Sequence, residues 1–82
     1  MMLAMATTPT PSAVGKRVEA ARLTRGLTIV QLAEVCGCNP GAIRHYEAGR
    51  SIPGGALLYQ LAVALGVSAD HILGVPTARG AR

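Results

Sequence analysis

The stretch Leu27–Gly49, "LTIVQLAEVCGCNPGAIRHYEAG", decides the fold. It holds two short apolar-periodic segments separated only by "GCN". In the first, Thr28 is placed to cap a helix and Gln31, three residues on, completes a capping box. Leu27 and Leu32 occupy the two positions that staple such a helix start. This helix is expected to end at Gly37. In the second segment Asn39 is the cap, and Pro40 takes the first helical position, where a missing N–H costs nothing. Cys38 and Ile43 are its staple pair, and it is expected to end near Gly49.

A connection as short as "GCN" forces a sharp crossing, which is the geometry of a helix-turn-helix. Ala33 is small where the two helices must approach. Gly37 accepts the left-handed conformation that the turn needs. Leu32, Cys36, Cys38, Ile43 and Tyr46 supply apolar contacts between the helices.

Working outward, the chain reads as five short helices with no alternating, strand-like run. The first is expected from Ser12 or Ala13 to Arg25, with Val14, Val18 and Ala21 as its apolar stripe and Gly26 as its stop. The fourth follows "SIPGG" and runs to Leu65, burying Leu58, Leu61, Ala62 and Leu65. The fifth is one to two turns, with Ser68 as cap, Val67 and Ile72 as staple, and Gly74 and Pro76 as stop. Residues 1–11, ending in "ATTPTP", read as a disordered Thr/Pro-rich arm. Residues 76–82 read as a basic disordered tail. The folded domain is therefore expected over residues 12–75.

The chain has 82 residues, half of them apolar, with no Phe or Trp. That is one small domain with an aliphatic core, and the fold class is all-α. The net charge is +4, and without Arg79 and Arg82 it is +2. Such a balance favours a polyanionic partner but does not by itself specify DNA. Cys36 and Cys38 are too close for an unstrained disulfide, so a reduced, cytoplasmic setting is expected. No apolar run approaches the roughly 18 residues of a membrane span. "MMLAM" lacks the basic flank of a signal peptide. No paired carboxylates, nucleophile–base pair or phosphate-binding glycine loop is present, which argues against an enzyme. Two tyrosines are too few for base stacking on single-stranded RNA.

"RLTRGLTIVQLAEVCGCNPGAIRHYEAGRSIP…LLYQLAVALGVSADHIL" resembles the lambda-repressor/Cro type of helix-turn-helix domain. The likeness spans about residues 14–74, and "LTIVQLAEVCG", "YEAGRSIP" and "LAVALGVSADHIL" carry it. It implies a compact five-helix bundle whose helices 2 and 3 form the helix-turn-helix. It also implies a bacterial or phage transcription regulator that binds a near-palindromic operator as a homodimer, in the cytoplasm and associated with the nucleoid. Double-stranded DNA is the expected partner. With no room for a sensor domain, a partner protein such as a toxin is the other candidate, in a phage-repressor, controller or antitoxin setting. No cofactor and no metal are expected.

In this family the third helix enters the major groove. The resemblance therefore places Pro40, Gly41 and His45 at the base edges, with Arg44 beside them. Pro40 and Ala42 suit thymine methyls, and Arg44 suits a guanine or a phosphate. Thr28, Gln31, Asn39, Tyr46, Arg50 and Ser51 are the expected phosphate contacts. The family often has Gln at the start of helix 2, where this chain has Ile29. Arg22 and Glu47 match a buried family ion pair that ties helix 1 to helix 3. Val63, Leu73 and Val75 are expected at a dimer interface.

Each feature also has a plainer reading. Cys36 and Cys38 behave as small hydrophobes rather than ligands. Tyr46 is a packing residue, His71 a surface one, and Lys16, Arg17 and Arg25 a solvated basic face. Val63, Leu73 and Val75 complete the core. The sparse face formed by Pro40, Gly41 and Ala42 also fits a competing function, a protein-interaction module with this fold and little specific DNA binding.

Overall fold

Thr10 and Pro11 start the first helix. The Thr10 hydroxyl accepts a hydrogen bond from the Ala13 amide at 3.1 Å, and Pro11 takes the first helical position. Helix α1 (Pro11–Thr24) thus begins one residue or more ahead of the Ser12/Ala13 start expected from the sequence. The computed structural model describes residues 9–75, so the expectations for residues 1–8 and 76–82 lie outside the described residues.

Four further helices follow: α2 (Ile29–Cys36), α3 (Pro40–Glu47), α4 (Gly55–Leu65) and α5 (Ala69–Leu73). Thr28 and Gln31 form the full reciprocal capping box. The Thr28 hydroxyl accepts from the Gln31 backbone amide at 3.0 Å, and Oε1 of the Gln31 side chain accepts from the Thr28 backbone amide at 2.9 Å. Gly37 ends α2 at φ 69°, and the Cys38 amide then reaches back to the Ala33 carbonyl at 3.0 Å. That bond uses one of the carbonyls a helix end leaves orphaned.

Val14 and Val18 of α1, Leu32, Ala33 and Cys36 of α2, Ile43 of α3, Leu61 and Leu65 of α4, and Ile72 of α5 form the core. Burying each of the larger aliphatic side chains contributes about 1.5–3 kcal/mol. Helix α3 is held between α1 and α2, while α5 closes the bundle against α1 and α4. Gly15 decides how near α1 comes to α3. A Cβ there would run into the Tyr46 carbonyl oxygen and lie 2.9 Å from that of Glu47. At Gly49 a Cβ would stand 3.0 Å from the Cα of Ser12, so the start of α1 abuts the end of α3. No described helix is long and apolar enough to cross a membrane.

Candidate nucleic-acid interface

Helix α3 shows two sides. Ile43 is fully buried, and Glu47 is turned to α1. Gly41, Arg44, His45 and, past the helix end, Arg50 are exposed. Pro40, Ala42, Tyr46 and Ser51 are half-buried. The outward face therefore carries Arg44 and His45 as its strong donors, next to a nearly bare first turn.

The bare first turn has a local cause. Asn39 caps α3 by accepting from the Gly41 amide at 2.7 Å. A Cβ on Gly41 would stand 2.9 Å from that same Asn39 oxygen. Glycine at this position lets the cap fold over the helix end.

Arg22 and Glu47 hold the angle of α3 against α1. Nε of Arg22 donates to Oε2 of Glu47 at 2.7 Å, and Nη2 donates to Oε1 at 3.0 Å. Nη1 donates to the Leu27 carbonyl at 2.9 Å, tying in the α1–α2 connection as well. Arg22 is only 8 % exposed. The hydrogen bond to Glu47 raises the Arg22 pKa further, against the opposing effect of burial. A planar fork meeting a carboxylate this way fixes direction as well as distance.

Thr28, Gln31 and Asn39 are exposed, and each uses its oxygen inside a cap. The hydroxyl proton of Thr28 and the amide NH2 groups of Gln31 and Asn39 remain as outward donors. Tyr46 meets the edge of His45 in a T-shaped contact, with ring centroids 5.6 Å apart. These side chains and Arg50 lie on or beside the helix-turn-helix.

The sequence reading placed Lys16, Arg17 and Arg25 on a solvated face. Lys16 and Arg25 are exposed, as that reading expects, while Arg17 is half-buried and reaches a helix end. Arg17 donates to the Ile72 carbonyl at 3.4 Å. A Cβ on the left-handed Gly66 would stand 2.8 Å from Nη1 of Arg25. The Arg17 guanidinium thus sits where projecting carbonyls make a helix end negative, while Arg25 lies beside Gly66 without a hydrogen bond to a carbonyl.

At the proposed dimer surface, Val63 is 61 % exposed and Val75 43 %. Leu73 is half-buried and packs against the core. Tyr59, which sequence reasoning passed over, is 65 % exposed on α4. Tyr59 and Val63 are four apart, so helical spacing marks them as one face. Cys36 and Cys38 are free thiols, and burial pushes both thiol pKa values up; the charge of Cys38 adds to the shift at Cys36.

Residues 18–72 match the helix-turn-helix family model. Multiprotein-bridging factor 1 of Candida albicans is 46 % identical over 54 residues, covering 66 % of this chain and 36 % of that protein. The chain thus spans about a third of the length of the curated relatives it matches. Among solved structures, the clp gene regulator ClgR of Corynebacterium glutamicum superimposes with a TM-score of 0.72 at 32 % identity, covering 77 % of this chain and 67 % of that one. The c2 repressor of phage P22, solved with a synthetic operator, gives a TM-score of 0.71 at 30 % identity, covering 73 % of this chain and 91 % of its own. The chain belongs to the Cro/C1-type helix-turn-helix family.

Proposed function

We propose that this protein is a sequence-specific DNA-binding transcription regulator that places α3 in the major groove. The observation that carries the reading is the exposed α3 face, with Arg44 and His45 projecting from a helix whose other side is locked by Ile43 and Glu47. The likeness to a repressor solved on its operator supports it. Pro40 and Gly41 line the groove, and Arg44 and His45 supply the hydrogen bonds to base edges. Thr28, Gln31, Asn39, Tyr46, Arg50 and Ser51 hold the flanking phosphates. With so few donors on the helix, phosphate contacts and DNA shape carry much of the affinity.

The regulator acts as a homodimer on two half-sites about one helical turn apart. Val63 and Val75 stand exposed for such a contact, and Tyr59, one helical turn before Val63 on α4, is exposed as well. Leu73 contributes from its half-buried position.

Selection from a random duplex library, at about physiological salt, tests the reading. An enriched palindrome that disappears with Arg44→Ala is expected. Unchanged binding after Arg44→Ala and Arg50→Ala are combined would overturn it. A salt slope lower by close to one unit marks each phosphate contact that is removed.

A second reading, a protein-interaction module, is favoured by two observations. The curated relatives carry the name multiprotein-bridging factor, and the first turn of α3 offers few donors to bases. Complete absence of duplex binding in the selection is its signature.

A further inference from the structure

A cleft of about 380 Å³ lies between the last turns of α1 and the α4–α5 connection. Ala20, Ala21, Leu65 and Val67 make its apolar lining, while Thr24, Arg25 and His71 supply polar groups. It shares no residue with the helix-turn-helix, so it stands independently of the DNA-binding reading. Its volume falls in the range of small-ligand sites, which combine apolar walls with a few polar groups.

Arg25 is what gives the cleft a preference. The arginines of α1 and its C-cap do not share one fate. Arg22 is spent on Glu47 and the Leu27 carbonyl, and Arg17 donates to the Ile72 carbonyl. Arg25 stands exposed at the rim of the cleft and, among the described residues, its guanidinium has no hydrogen-bond or ion-pair partner in the protein, although it reaches across to Gly66 on the far wall. Its planar fork matches a carboxylate, and Thr24 and His71 add further hydrogen-bonding groups. A bare inorganic anion would leave the alanine, leucine and valine walls uncovered. A neutral apolar molecule would leave the guanidinium without an anion.

We propose that this cleft binds a small monocarboxylate with an aromatic or branched aliphatic body. The carboxylate meets Arg25, and the body lies on Ala20, Ala21, Leu65 and Val67.

Backbone amide NMR spectra of the full chain, titrated with sodium benzoate at fixed ionic strength, test the proposal. Saturable shifts confined to the residues that line the cleft, Arg25 included, are expected. Arg25→Gln is expected to weaken them tenfold or more, and benzamide, the uncharged analogue, to bind at least tenfold more weakly. Ala20→Glu leaves Arg25 in place and puts a carboxylate at the exposed edge of the cleft, and it is expected to abolish the shifts. Non-saturating or scattered shifts would overturn the proposal. So would benzoate binding that survives both substitutions, or equal saturation by benzamide or inorganic phosphate.

Discussion

The guanidinium of Arg17 covers Gly74, the left-handed residue that ends α5. A Cβ on Gly74 would lie 2.6–2.7 Å from Nη1, Cζ and Nη2 of Arg17. Two constraints therefore meet at one glycine, its φ of +82° and the side chain above it. Gly74→Ala is expected to destabilise by about 1–2 kcal/mol from the backbone conformation alone. Arg17→Met keeps the stem and removes the charge at the helix end, with an expected loss of about 0.3–1 kcal/mol. Urea denaturation of both variants checks the order. If Arg17→Met costs as much as Gly74→Ala, the contact is not chiefly one of charge and dipole.

Glu47→Gln is expected to be among the most damaging conservative changes in the chain. It leaves the buried Arg22 without its counter-charge, and breaking such a pair from one side costs about 3–5 kcal/mol. Replacing both residues with apolar ones, as Arg22→Met with Glu47→Leu, removes the charges together and is expected to cost less. Thermal unfolding of the single and double variants decides the point. A double variant no better than the single would show that the pair's geometry, rather than an abandoned charge, sets the stability.

Gly15→Ala sets two opposite effects against each other. Alanine gains about 1 kcal/mol of helix propensity over glycine. Its Cβ meets the carbonyls of Tyr46 and Glu47, which are backbone and cannot swing away. Overpacking of this kind costs about 1–3 kcal/mol, so a net loss is expected. Gly41→Ala presents the contrasting case, because its Cβ meets only the end of the Asn39 side chain. The propensity gain and the lost cap, each about 1 kcal/mol, nearly cancel. Equilibrium unfolding is expected to find Gly15→Ala destabilised and Gly41→Ala close to neutral.

Raised thiol pKa values at Cys36 and Cys38 have a sign that can be checked. The folded chain holds both protons above the pH at which the unfolded chain begins to release them. The unfolded state then binds fewer protons, so stability falls as pH rises through the ordinary thiol range. Below that range these groups contribute no pH dependence. Replacing both cysteines with Ala is expected to flatten this alkaline loss, as followed by melting temperature from pH 7 to about pH 10. An unchanged alkaline slope would assign the loss to other groups.

The helix-turn-helix was legible because its signals are local. Thr28 with Gln31, Asn39 with Pro40, and Gly37 between them all act within one turn of chain. The same logic also applied at Thr10–Pro11, a cap followed by proline at the first helical position, but the Thr/Pro repetition around it suggested an arm. Gly15 gave no signal, since its need arises from carbonyls of Tyr46 and Glu47 far along the sequence. Arg17 looked like a solvent-facing charge for the same reason: the helix end it covers belongs to α5. Tyr59 was hidden by the apolar run around it, because exposure follows from how α4 is rolled against α2.

The seat of α3 uses none of its outward side chains. Gly15 below, Ile43 inside and the Arg22–Glu47 fork at the end are all on the hidden side. Residues 44 and 45 are consequently interchangeable parts on a fixed mount, whereas Gly41 is bound to the Asn39 cap. Other side chains grafted at those two positions would inherit the same helix angle, so this scaffold separates what the helix presents from how the helix is held.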